Sequence, residues 1–140
     1  MAVQRALKGE KGFMQKINDF VSKGELMLAL KAGVNPSKIV FSGVGKTNEE
    51  INFAIEKKIL LINAESKSEI QEINKIAKQK RKIVQVGIRL NPNTDAKTLK
   101  QISTGKSENK FGVNSKTFYE LVNYCKNSKS ISLQCLSVHI

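Results

Sequence analysis

Residues 39–51 read IVFSGVGKTNEEI, an apolar β-branched run followed by the turn segment GVGKT and an acidic stretch with helical character. This order has the outline of a phosphate-binding loop. Such a loop needs G-x-x-x-x-G-K-[ST], and the position that should hold its first glycine, counted back from Gly45, is Val40, inside the apolar run. The spacing therefore favours a strand-to-helix turn, with Thr47 capping the helix, over a nucleotide site.

The same succession of strand and helix repeats along the chain. Apolar runs typical of buried parallel strands occur at 38–43, 58–66, 82–92 and 132–140. Segments with helical periodicity lie at 25–32, 48–57, 67–79 and 115–126. Three helix starts read SKGE, TNEE and SKSE, which is the capping-box pattern of a hydroxyl followed by Glu three residues later. Repeated βα units predict a parallel sheet with helices packed outside it.

Two architectures suit this pattern, an open doubly wound sheet and a (β/α) barrel, and both place chemistry beyond the carboxyl ends of the strands. The polar residues and glycine expected there are Ser42, Gly43, Glu65, Ser66, Arg89, Asn91 and His139. The serines are equally well explained as helix caps, and a lone His at a strand end is often a core residue. A buried Arg89 would need an anionic partner, because a desolvated charge is costly when unpaired.

Composition limits the function classes. The net charge of +12 comes from scattered lysines with few arginines, and the densest cluster, KQKRK at 78–82, falls where a helix should end. This distribution predicts solvated helix ends and no nucleic-acid partner. No stretch is long and apolar enough to span a membrane. Two cysteines with one histidine form no metal pattern and indicate a reduced, cytoplasmic protein.

Five segments of the chain, in unbroken order, resemble diaminopimelate decarboxylases of the alanine-racemase-like family. They lie at 18–51, 62–70, 88–98, 102–113 and 136–140. The most specific motifs are ISTG, then NKFG, then a strand that ends in LSVHI. The resemblance implies a partial TIM-type (β/α) barrel that binds pyridoxal 5′-phosphate and belongs to an enzyme converting meso-diaminopimelate to L-lysine and carbon dioxide.

The resemblance also implies which residues approach the cofactor. His139 matches the family histidine that stacks on the pyridine ring, and Arg89 matches an arginine that borders the cofactor. Asp19 and Ser22 match the family segment D-x-x-S-x-G-E near the site. These four residues are the predicted cofactor-binding set, and the family's small-molecule amino acid is the predicted substrate.

The chain departs from the family at several positions. The family binds the cofactor through a Lys in Y-A-x-K-A-N, and residues 1–17 hold no such motif, since Lys8, Lys11 and Lys16 lack its context. Lys23 stands where the family usually has Gly, and Leu99 where it usually has His. We therefore divide the chain into a divergent segment, 1–17, and a partial cofactor-binding barrel, 18–140, with no catalytic lysine and no metal site.

The resemblance implies that the first strand region, the later strands, the Gly-rich phosphate cup and the C-terminal β-domain are not among these residues. The chain alone is therefore expected to be marginally stable and inactive, with doubtful cofactor binding unless a complementing chain or a homodimer completes it. A sister decarboxylase acting on ornithine or arginine, and a non-catalytic remnant, are the alternatives in the same family. A nucleotide- or nucleic-acid-binding module is the alternative outside it.

Overall fold

A computed structural model of the chain describes residues 17–91 and 111–138, which form one parallel sheet with four α-helices. The strands are β1 (Asn18–Phe20), β2 (Ile39–Phe41), β3 (Leu61–Ala64), β4 (Val84–Leu90) and β5 (Ile131–Val138). The helices are α1 (Lys23–Lys31), α2 (Asn48–Glu56), α3 (Lys67–Gln79) and α4 (Ser115–Lys126). A short 3₁₀ turn, Pro36–Lys38, leads into β2.

The order of the strands distinguishes the two predicted architectures. The sheet runs β1-β2-β3-β4-β5, so each strand pairs in parallel with the next one along the chain. A doubly wound sheet reverses its strand order at a switch point, whereas a (β/α) barrel keeps the chain order around its wall. The described residues are therefore an arc of a barrel wall, which confirms the predicted partial barrel.

The two faces of this arc differ in what covers them. The outward face of the strands packs on the helices in one continuous core, which includes Phe41, Ile62, Ile88 and the helix residues Ile51 and Ile70. The opposite, inward face carries a smaller apolar cluster of Ile17, Val40 and Leu61, to which none of the four described helices contributes. Helices on one face only are expected of a barrel, since its inner face must pack on itself.

The predicted helix starts form as hydroxyl caps. The side chains of Ser22, Thr47 and Ser66 each accept a hydrogen bond from the backbone amide three residues later. The reciprocal half of the capping box exists only at Thr47, whose amide donates to Glu50 over 2.9 Å. In the other two turns the Glu reaches one residue further back, because Val21 and Glu65 donate to it instead.

A hydrogen bond on the inward face crosses a whole strand at Gly87. The Asn63 side chain on β3 donates from Nδ2 to Ser137 Oγ on β5 over 2.9 Å. It passes above β4 at Gly87, where an added Cβ would lie 2.6 Å from Asn63 Oδ1 and 3.2 Å from the Cβ of Cys135. The strand in between must therefore carry glycine at this point, since any side chain would displace the crossing amide.

We expect Gly87→Ala to destabilise the fold by about 1–3 kcal/mol, because the new methyl group overpacks the inward face and disrupts the bridge from β3 to β5. Gly24→Ala is a matched control, since it lies inside α1 with only the Ser22 hydroxyl near its Cβ, at 3.9 Å. That control should be neutral or slightly stabilising. Urea unfolding followed by circular dichroism measures both variants, and a Gly87→Ala protein as stable as Gly24→Ala would contradict this account.

Candidate functional site

The polar side chains of the inward face gather at the carboxyl edge of the sheet. Asp19 pairs in register with Val40, a member of the inward cluster, and Ser42 lies two residues after Val40. Glu65 and Arg89 lie two residues after Asn63 and Gly87, the positions where the strand-crossing bridge marks the inward face. Since side chains alternate along a strand, these four residues share that face. The structure therefore brings Asp19 and Arg89 to the same edge, and their contact with a cofactor stays a prediction.

Arg89 meets the anion that its position requires. Its Nη1 donates to both carboxylate oxygens of Glu65, at 3.2 Å and 3.1 Å, and the Glu65 side chain is only 5% exposed. The guanidinium also lies 5.8 Å from the centroid of the Phe111 ring. The sequence placed Glu65 at a strand end and did not identify it as the partner, although a carboxylate at the end of the adjacent strand was the available signal.

Asp19 is a partly buried carboxyl whose Oδ1 is shielded from solvent and has no hydrogen-bond partner among residues 17–91 and 111–138. Burial raises the pKa of Asp19 above its ordinary value of 3.8, and the nearby negative charge of Glu25 acts in the same direction. The Ser42 hydroxyl and the positive charge of Lys46 oppose this effect. An orphaned acceptor at this edge is suited to receive a donor from a bound molecule.

The raised pKa of Asp19 makes a signed prediction about stability. A carboxyl whose pKa is higher in the folded state binds protons more tightly there, so its charge lowers stability as the pH rises above about 4. Asp19→Asn should therefore be more stable than the original at neutral pH, and the difference should shrink as the pH falls below 3.8. Denaturation curves of both proteins across this pH range measure it, and a variant that is less stable at neutral pH would refute it.

Ser22 is used locally as a helix cap. Its Oγ accepts from the amide of Glu25 over 3.2 Å at the start of α1. Ser66 likewise caps the start of α3, where its Oγ accepts a hydrogen bond from the amide of Glu69. These contacts account for both hydroxyls without a ligand, so the cofactor contact of Ser22 stays a prediction that rests on the resemblance.

The GVGKT turn holds neighbouring elements together. Lys46 Nζ donates to Gly43 O (2.6 Å), Asn63 O (2.8 Å) and Glu69 Oε1 (2.9 Å), and its side chain is only 2% exposed. Gly43 has φ of 94°, and a Cβ there would lie 2.9 Å from Val21 O. All three ammonium protons of Lys46 therefore have acceptors within the protein, which argues against the P-loop alternative.

Lys23, which stands where the family usually has Gly, points away from the inward face. It forms an ion pair with Glu49 on α2, and its ammonium lies 5.5 Å from the Phe53 ring centroid. The other singled-out positions, His139, Lys8, Lys11, Lys16 and Leu99, lie outside the described residues, as does most of the long connection 92–114. No helix in the described ranges is long and apolar enough to cross a membrane.

Three comparisons with known proteins agree with this geometry. Residues 12–140 match the family model described as pyridoxal-dependent decarboxylase, pyridoxal binding domain. A diaminopimelate decarboxylase from Campylobacter jejuni is 47% identical over 122 residues, which are 87% of this chain and 30% of that protein. The chain thus spans about a third or less of the length of the relatives that it matches.

Solved structures extend the likeness to three dimensions. The diaminopimelate decarboxylase from Helicobacter pylori, complexed with L-lysine, superposes with a TM-score of 0.79 at 45% identity, and the match covers 89% of this chain and 32% of that one. An alanine racemase from Clostridium difficile gives a TM-score of 0.64 at 18% identity, which shows a shared fold alone. The predicted alanine-racemase-like barrel is thereby confirmed.

Proposed function

Because the chain belongs to the pyridoxal-dependent decarboxylase family, we propose that it forms the first part of the barrel of a diaminopimelate decarboxylase. The observation that carries this proposal is the 47% identity to the Campylobacter jejuni enzyme across nearly the whole chain. The reaction would convert meso-diaminopimelate to L-lysine and carbon dioxide. The alternatives, decarboxylases of ornithine or arginine, lack a comparable match to the sequence motifs of this chain.

The inward edge suits pyridoxal phosphate on two grounds. Arg89 supplies a cation beside the site, and Asp19 supplies a buried carboxylate oxygen that no donor in the described part of the chain satisfies. When bound, the cofactor supplies an electron sink for the charge left by departing carbon dioxide. In our proposal Arg89 binds and orients the cofactor, Glu65 holds the guanidinium in place, and Asp19 accepts a hydrogen bond from the bound molecule.

We further propose that these residues act only with the rest of a barrel, supplied by a longer chain, a complementing chain or a dimer partner in the cytoplasm. The described sheet is an open arc of five strands, so a closed barrel needs further strands beside β1 and β5. The family's cofactor-binding lysine motif is also missing from residues 1–17.

The isolated 140-residue chain should therefore neither hold pyridoxal phosphate covalently nor release carbon dioxide from meso-diaminopimelate. Purified chain mixed with the cofactor should show no visible absorbance band of lysine-bound pyridoxal phosphate. Borohydride treatment followed by mass spectrometry is the more sensitive measurement. A reduced cofactor adduct on one specific lysine, together with lysine formation, would contradict the proposal of an incomplete site.

A further inference from the structure

The edge of the sheet opposite the candidate site is strongly asymmetric in charge. Helices in βα units run antiparallel to the strands, so helix C-termini and strand N-termini meet at this edge. The turns after α2 and α3 bring Lys57, Lys58, Lys80, Arg81 and Lys82 here. The same two helix ends contribute one carboxylate, Glu56, and Lys80 pairs with it across 2.7 Å. Lysines that are scattered in sequence are thus concentrated in space.

An apolar cleft of about 550 Å³ opens between these two turns. Its floor is formed by buried side chains of α2 and β3, including Ala54, Ile55 and Ile62. Lys58 and Lys82 line it together with Ile83, which is 74% exposed. The exposed Ile83 and the apolar cleft floor together offer apolar surface that a partner could cover.

Two basic residues at this edge adopt a backbone conformation that usually favours glycine. Lys58 and Arg81 both have φ of 53°, in the left-handed region, at the residue directly after the C-cap of α2 and α3. Glycine is the usual residue at this position, and α1 has Gly33 there with φ of 83°. Two neighbouring turns therefore both place a long basic side chain where glycine would cost less, and such strain is often kept for function.

We propose that this cleft binds an acidic segment of a partner protein, with apolar side chains on the cleft floor and carboxylates against Lys58 and Lys82. Charge disfavours residues 1–16 and a second copy of the chain as occupants. Residues 1–16 carry four basic side chains and one acidic one, and a second copy would bring its own net charge of +12. An apolar floor without aromatic stacking side chains favours a peptide over a nucleic acid.

The probe for this proposal is a fluorescein-labelled peptide of alternating Glu and Leu, with a Glu–Ser peptide of equal charge beside it. Fluorescence anisotropy with the 140-residue chain should show tighter binding of the Glu–Leu peptide. Lys58→Glu combined with Lys82→Glu should weaken that binding by about tenfold or more, because close attractive charge pairs become repulsive. Ile83→Ser should weaken binding of the Glu–Leu peptide and leave the Glu–Ser peptide unaffected.

The matched control is Lys67→Glu combined with Lys75→Glu, which makes the same net charge change on exposed positions of α3. It should alter binding by less than about twofold at physiological salt. Equal loss in the control, equal binding of both peptides, or displacement of the Glu–Leu peptide by single-stranded DNA or phosphatidylglycerol vesicles would overturn the proposal.

Lys58→Gly separates a binding role from a structural one. Glycine relieves the left-handed strain, so the midpoint of thermal unfolding should rise by about 2–4 °C while peptide binding weakens. A merely structural Lys58 would not give this combination. A stabilised variant that binds the Glu–Leu peptide as tightly as the original would overturn the proposal.

Discussion

Lys46→Met is expected to destabilise the fold by about 3–5 kcal/mol, the cost typical of breaking a buried ion pair from one side. The substitution keeps the length and apolar stem of the side chain and removes its ammonium group. Glu69, whose side chain is 8% exposed, would then be left with its charge buried, and the carbonyls of Gly43 and Asn63 would each lose a donor. Few single substitutions in the described residues combine these losses.

Circular dichroism during urea titration measures the effect, since the chain has no tryptophan. The matched control is Lys80→Met, which breaks the ion pair with Glu56 at the surface and should cost less than about 1 kcal/mol. Adding Glu69→Gln to Lys46→Met should recover part of the loss, because it removes the stranded charge. If Lys46→Met costs no more than Lys80→Met, the buried ion pair of Lys46 with Glu69 does not stabilise the fold more than a surface pair does.

The second large effect is expected at Arg89, and it concerns the cofactor. The suitable protein is a chimera in which residues 17–138 of this chain replace the matching stretch of the Helicobacter pylori enzyme. Arg89→Leu should weaken retention of pyridoxal phosphate by at least about tenfold, since a charge-assisted contact is worth about 1.5–3 kcal/mol. Equilibrium dialysis of the cofactor measures this directly.

Arg89→Leu also strands the buried carboxylate of Glu65, so its effect must be separated from simple destabilisation. The double variant Arg89→Leu with Glu65→Leu removes both charges and should regain stability while cofactor retention stays weak. Were the double variant to regain cofactor retention as well, Arg89 would serve only as the partner of Glu65.

Regular elements were predictable because their signals are local. The apolar runs contain β2 to β4, β5 begins one residue before its run, and the helices α3 and α4 begin and end where the periodicity predicted. β1 was missed because Asn18–Phe20 has no apolar run, and it forms through pairing with β2. Hydroxyl caps were foreseeable for the same reason, whereas the capping-box pattern did not predict that Glu25 and Glu69 accept from the amide four residues earlier.

The contacts of the site depend on register, which sequence periodicity does not specify. The pairing of β4 with β5 shifts by one residue at Val86 and Gly87, so that Gly87 pairs with Cys135. Without that irregularity Ser137 would lie on the other face and could not meet Asn63. The hydrogen bonds of Lys46 likewise join residues from three segments, and no spacing in the sequence links them.

The chimera also tests the central claim, that these residues form a working part of the barrel of a diaminopimelate decarboxylase. The measurement is formation of L-lysine from meso-diaminopimelate by purified chimera loaded with pyridoxal phosphate. We expect the cofactor to be retained and the rate to stay within about tenfold of the parent enzyme, a change of about 1.4 kcal/mol in the barrier. A chimera that folds like its parent by circular dichroism, yet holds no cofactor or forms no lysine, would contradict the account.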